Sequence, residues 1–260
     1  MTGRILHPAI RRNLLLALAA AATALLALVT LGHAPALAQS INVDLGDGGS
    51  STGRIVQVIA ILTVLSLAPS LLVMVTCFAR IVIVLSLLRT AMGAQATPPN
   101  SVLISLALFL TFFVMQPTLE RSYNEGIQPL IEDRITEEQA FERAVAPIHA
   151  FMMRHVRAKD LELFLGIAKI PPVTEPAATP LRALVPAFMI SELRRAFEIG
   201  FLLFIPFLII DMVIASVLMS MGMMMLPPVM ISLPFKLIFF VLVDGWYLVA
   251  GSLIQSFVAG

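Results

Sequence analysis

Past residue 54 the chain is dominated by four apolar blocks, Ile55 to Leu88, Val102 to Met115, Ile199 to Leu226 and Val229 to Val258. A helix needs about 20 apolar residues to cross a bilayer. The blocks fall into two pairs, each joined by a short turn, which predicts two long helical hairpins at residues 54–116 and 183–260. Residues 117–182 have a different composition, with about half of the seventeen basic residues and most of the sixteen acidic ones, which suits a surface in water. Within this segment Thr136-Glu137-Glu138-Gln139 has the form of a capping box, and Phe141, Val145, Ile148 and Met152 recur at helical spacing. A small helical domain follows, expected to kink at Pro147 and to end in a connector bearing Pro171, Pro172, Pro176, Pro180 and Pro186. The predicted fold is an all-α integral membrane protein: two helical hairpins with a small charged helical domain between them.

The amino terminus reads in three parts. Arg4, Arg11 and Arg12 precede an apolar stretch from Leu14 to Leu31, and Ala36 and Ala38 then supply the small residues of a signal-peptidase site. The expected mature chain starts at Gln39, after a signal peptide of residues 1–38; an uncleaved anchor is the alternative, because the apolar stretch approaches the length of a span. Residues 39–53 are rich in Gly, Ser and Asp and read as a flexible leader. Gly48 to Arg54 has the glycine spacing of a phosphate loop, but Arg54-Ile55 stands where the Lys-Ser/Thr pair would be. Counting crossings from a cleaved signal puts both hairpin turns toward the cytoplasm and the charged domain in the periplasm. Arg80 and Arg89 near the first turn agree with a positive-inside orientation, while the second turn has no charge.

The hairpins repeat one another. Gly93 is followed by four residues and then Pro98-Pro99, and Gly222 by four residues and then Pro227-Pro228. Beyond the turns, Ile104 to Val114 and Ile231 to Val241 agree at Ile, Ser, Leu, Leu, Phe, Phe and Val. Shared turn spacing with a shared serine is more than two apolar helices match by chance, so a duplication, or one geometry selected twice, accounts for it. Val102 to Met115 is short for a span, and Pro69, Pro206 and Pro234 interrupt the other blocks, a pattern that fits helices shielded by protein.

Composition narrows the chemistry. The chain is 59% hydrophobic and 13% charged, against roughly 25% charged in soluble domains, so lipid is the solvent for much of it. A net charge of +1 gives no field for nucleic acid. The single cysteine, Cys77, lies in an apolar run and reads as a packing residue. His149 and His155 are six residues apart, off the spacing of a helical metal pair, and neither a nucleophile elbow nor a Cys/His arrangement is recognisable. The expectation is therefore no catalytic residue, no metal and no cofactor. Glu192, Arg194, Arg195 and Glu198 alternate in sign ahead of the third block and read as the solvated start of a helix.

Three charges lie inside apolar blocks: Asp211, Lys236 and Asp244. Each costs about 2.5–3.5 kcal/mol at mid-bilayer, so each needs a partner or a wet cavity. Asp211 and Lys236 lie at about 16 and 12 Å from the second turn by helical rise, near enough in depth to pair within the hairpin or between subunits. A structural ion pair that fixes assembly outweighs a proton relay, because one pair makes a short relay. Met223, Met224 and Met225 crowd the uncharged second turn, and soft thioethers could form a deformable, water-excluding ring if several copies met tip to tip. Broken helices with midplane charges also occur in small-solute and ion transporters, but those surround polar pockets richer in charge than this chain allows.

Two stretches, Pro186-Ala187-Phe188-Met189-Ile190-Ser191-Glu192-Leu193-Arg194-Arg195-Ala196-Phe197-Glu198-Ile199-Gly200 and Pro234-Phe235-Lys236-Leu237 through Val243-Asp244-Gly245-Trp246, closely resemble the FliP family, flagellar relatives of the SctR subunits of virulence secretion. Ala79-Arg80-Ile81-Val82, Pro98-Pro99-Asn100 and the methionine turn extend the likeness, which covers about Ile55 to Phe257. The resemblance implies several copies, thought to be five, joined with FliQ and FliR in a type III export gate through which unfolded flagellar proteins cross the inner membrane, with FlhA and FlhB nearby. It implies that Met223, Met224 and Met225 form the pore gasket, that the helices are raised partly toward the periplasm, and that energy comes from partner proteins.

Overall fold

A computed structural model describes residues 51–94, 96–171, 175–223 and 225–258. Ala36, Ala38 and Gln39 of the expected cleavage site, most of the expected leader, and Met224 lie outside these. Residues 60–260 make up one compact unit.

Helix α1, Ser51–Val75, takes in the end of the expected leader and carries Pro69 internally. Proline removes a helical hydrogen bond and crowds the preceding turn, and the two halves of α1 meet at 44° there. The apolar block 55–88 is not one arm, as expected, but two helices. Thr76 interrupts it: its hydroxyl donates to Leu72 O at 2.6 Å and accepts the Phe78 N–H at 3.3 Å, offering the backbone a local partner in place of the helical one. Helix α2, Phe78–Ala91, is therefore only 14 residues long.

The second block is longer than its apolar letters suggested. Helix α3, Asn100–Ser122, runs through Pro117 and continues by a π-helical turn, Tyr123–Ile127, into Gln128–Ile131. Glu120 and Arg121 end the apolar run without ending the helix, so 32 residues are continuous and long enough to cross a membrane. Helix α4, Glu137–His155, starts where the capping box places it, with the Thr136 side chain accepting the Gln139 N–H at 3.4 Å, and it passes through Pro147 as one element. Phe141 is exposed while Met152 is buried, so the expected apolar face of α4 is only partly covered. Gly126 lets α3 lie against the Ala144 backbone of α4, where a Cβ would stand 2.6 Å from the Ala144 nitrogen. Helix α5, Ala158–Ile167, and a 3-10 turn, Pro176–Ala178, lead into α6, Leu181–Ser220.

Helix α6 has 40 residues, about 60 Å at 1.5 Å per residue, and it takes in Pro186, expected in the connector. The last block is again two helices, α7 (Pro228–Leu242) and α8 (Gly245–Val258), meeting at 63°. Asp244 has φ +51 at this corner, and Gly245 packs so close to the Phe240 ring that a Cβ would overlap it. Among the described residues, α3 and α6 are long and apolar enough to cross a membrane, and the bent pairs bring the number of spans to at most four. No strand occurs among them.

The core lies between the first arms of the two hairpins. Helix α2 buries Ile81, Val84, Leu85 and Leu88, and α6 buries Leu184, Phe188, Ala196 and Phe207, each a stripe at helical spacing. Full burial of one such side chain contributes about 1.5–3 kcal/mol. Arg80 pairs with Glu192, and Leu87 contacts Gly200. Seven residues along α2 thus match eight along α6, so the two helices run parallel, as corresponding arms of a repeat should.

Candidate functional site

The second turn is built by its glycine. Gly222 has φ +76, and the Gly222 and Met223 N–H groups donate back to Met219 O at 3.1 Å and Leu218 O at 3.0 Å, closing α6 with the paired bonds of a Schellman cap. Pro228 then opens α7, where its missing N–H costs nothing. The first turn uses the same parts: Gly93 also has φ +76 and donates to Thr90 O at 3.0 Å, and Pro99 stands just before α3. Arg89 ties this turn together by donating to Pro98 O at 3.1 Å and Asn100 Oδ1 at 2.6 Å.

The turns do not end level. Gly93 lies against Leu233 and near the Lys236 ammonium, and those residues lie five and eight positions past Pro228. The second tip therefore projects beyond the first by on the order of 10 Å. It is apolar and uncovered in the single chain: Met225 is 99% exposed, and Met223 and Leu226 are 46% and 45% exposed.

Behind the tip, Asp211 and Lys236 meet within one chain. The Lys236 ammonium donates to Asp211 Oδ2 at 2.7 Å and to Ala91 O at 3.3 Å, and Ser232 donates to Asp211 Oδ1 at 2.5 Å. Lys236 is buried and Asp211 partly open, so α7 is fastened at once to α6 and to the end of α2. Asp244 does not join them. It sits exposed at the α7–α8 corner with no ion pair among the described residues, its carbonyl accepting the Leu248 N–H at 3.1 Å.

A second buried pair corrects two expectations. Glu192 is not on a solvated helix start, nor is Arg80 a cation of the first turn. Arg80 Nε donates to Glu192 Oε2 at 2.8 Å, a second guanidinium nitrogen donates to Oε1, and the third reaches Ser256 Oγ at 3.1 Å. Both side chains are essentially inaccessible. The guanidinium also lies 3.7 Å over the centroid of the Phe257 ring, a cation–π contact. One fork thus joins α2, α6 and α8, and only Arg89 is left to support a positive first turn. Arg194 and Glu198 do form the expected solvated pair, at 2.8 Å. The clue to Glu192 was present in the sequence: Leu184, Phe188, Glu192 and Ala196 recur every four residues, which puts the carboxylate on the buried stripe.

The histidines part company. His149 Nε2 is 2.8 Å from Thr179 O, while His155 is buried between Phe151 and Phe257. Burial, aided by the positive charges of Arg80, Arg195 and Arg154, pushes the His155 imidazole from 6.5 down to about 4. Cys77 is buried with its Sγ 3.9 Å from Thr111 O. Among the described residues no three His, Cys, Asp or Glu side chains gather as metal ligands would.

These features lie within a recognisable stretch of sequence. The model of the FliP family matches residues 61–253. The chain belongs to the FliP family. The flagellar biosynthetic protein FliP of Caulobacter vibrioides is 64% identical over 228 residues, covering 87% of this chain and 86% of that protein. The FliP of Bacillus subtilis is 55% identical over 217 residues, covering 84% and 98%, and that of Pectobacterium carotovorum is 55% identical with 84% of each covered. Both buried ion pairs and both turns fall inside the FliP match, whereas residues 1–53 fall outside it. Family membership places the chain in flagellar biosynthesis, and its long apolar helices agree with a membrane location.

Proposed function

We propose that the chain is the pore-forming subunit of the flagellar type III export gate, passing unfolded flagellar proteins across the inner membrane as a homo-oligomer with FliQ and FliR. The observation that carries this reading is the uncovered apolar tip at Met223, Met225 and Leu226, braced from behind by the Asp211–Lys236 pair and projecting past the first hairpin. Water disfavours a narrow ring of such tips, which therefore holds back ions, while unbranched thioethers change rotamer to let an unfolded chain of varied sequence through. In this reading five copies bring their tips together, FlhA and FlhB stand nearby, and the charged domain faces the periplasm. The flagellar rather than the virulence setting follows from the relatives, which are named as flagellar proteins.

Affinity purification of the tagged chain from its own membranes, with the intact mass of the complex, tests the reading. It predicts a particle with several copies of this chain and two other small helical membrane proteins. Recovery of the chain alone, with solute uptake when reconstituted, would instead favour a transporter.

A further inference from the structure

His155 ends α4 at the point where α2, α6 and α8 meet. Its side chain is buried, yet its Nδ1 meets no hydrogen-bond partner among the described residues. The imidazole centroid lies 4.7 Å from that of Phe151 and 5.4 Å from that of Phe257, and the same Phe257 ring carries the Arg80 guanidinium. Arg80 is already matched by the only carboxylate of the joint, Glu192. The other charges toward the imidazole are positive, Arg195 from α6 and Arg154 from its own helix, while α8 brings only Ser256 and Phe257. Arg121 of α3 and Glu125 of the π-helical turn line a cleft with Phe151 and Arg154. Arg157 and Asp160 at the start of α5 lie 3.8 Å apart, and Asp160 accepts from Ser191 at 2.7 Å. Neither Glu125 nor Asp160 hydrogen-bonds the imidazole Nδ1.

We propose that this joint is an acid-sensitive latch: a proton on His155 sets an uncompensated second cation beside Arg80 and releases α4 and the end of α8 from the α2–α6 pair. The geometry gives the direction. A cation held in this apolar, cationic setting is destabilised, and opening the joint relieves it by admitting more water. Because the imidazole is held down to about 4 from an ordinary 6.5, the closed joint binds fewer protons than the open one. The latch is therefore at full strength above the ordinary value, weakens as pH falls below it, and reaches its weakest state below the depressed value. At about pH 5 these values shift the opening equilibrium on the order of 30-fold toward the open joint. The inference depends on the burial around His155 and not on the export reading.

Hydrogen–deuterium exchange of the full chain in neutral detergent, corrected for the intrinsic pH dependence of amide exchange, tests it. The last turns of α4 and α8 should lose on the order of 30-fold in protection between about pH 7 and about pH 5, while the middle of α2 holds. His155→Phe keeps an apolar ring and removes the proton site, so its protection should not change with pH. Should that variant fail to fold, carbon-13 histidine NMR of the unaltered chain, with His149→Gln to assign the signals, still decides the matter. The account requires the His155 ring signal to titrate together with opening and well below the ordinary value. A pH-independent joint, an equal response in His155→Phe, or a ring that titrates normally with the joint closed would overturn it.

Discussion

Neutralising Lys236 and Asp211 separately and together probes how the two hairpins are fastened. Asp211→Ala leaves the ammonium 5% exposed with only Ala91 O to receive it. Breaking a buried pair from one side costs about 3–5 kcal/mol. Lys236→Met is milder, because the Asp211 carboxylate is 30% exposed and keeps the Ser232 hydroxyl; a loss of about 1–3 kcal/mol follows for an under-satisfied acceptor. The double variant Asp211→Ala with Lys236→Met removes both charges and keeps most of the volume, so it should lie within about 2 kcal/mol of the parent. The coupling energy is then about 2 kcal/mol or more, well above the 0.3–0.5 expected of independent sites. Thermal unfolding in one detergent, read together with the amount accumulated in membranes, measures it. Additive losses, or a Lys236→Met loss larger than that of Asp211→Ala, would refute the reasoning.

Glu192→Gln should destabilise the chain by about 3–5 kcal/mol by leaving Arg80 buried and unpaired, and Arg80→Lys in the parent should also destabilise it, because an ammonium cannot reach Glu192 and Ser256 at once as the guanidinium fork does; melting temperatures of the two variants check both. Gly245→Ala forces its methyl into the Phe240 ring, which stands edge-on to Trp246 at 5.3 Å; a loss of about 1–3 kcal/mol is expected, with partial rescue by Phe240→Leu in the same melts. Amino-terminal sequencing of the membrane-purified protein should start at Gln39, and retention of Arg4 to Arg12 would reverse the orientation assigned to the tips.

The turns were the most legible part of the fold, because Gly93, Gly222 and the paired prolines each have one conformational use, and both glycines adopt the left-handed φ their positions imply. Residue spacing brought Asp211 and Lys236 to one depth, since helical rise is nearly constant, but could not say whether they meet within a chain or between chains. Breaks inside apolar blocks were hidden. The interruptions at Thr76 and at Asp244 are made by single hydroxyl and backbone contacts that hydropathy does not register. Arg80 and Glu192 were misread for a related reason: they lie 112 residues apart in sequence, and each looked like surface charge until the other was placed beside it. The uncovered methionine tip shows the opposite case, where the letters state the chemistry plainly and a single chain leaves it without a partner.

The central claim is that these tips seal a gate, and inner-membrane permeability tests it most directly. Cells in which Met223, Met224 and Met225 are all replaced by Ala are compared with the parent at matched abundance of assembled complex, reading small-ion leakage and export of flagellar subunits together. Because the tip lies away from the α2–α6 core and both ion pairs, assembly should be kept, and the account predicts a leaky membrane with export retained or partly reduced. A tight membrane at full abundance would contradict it and leave the methionines as packing residues.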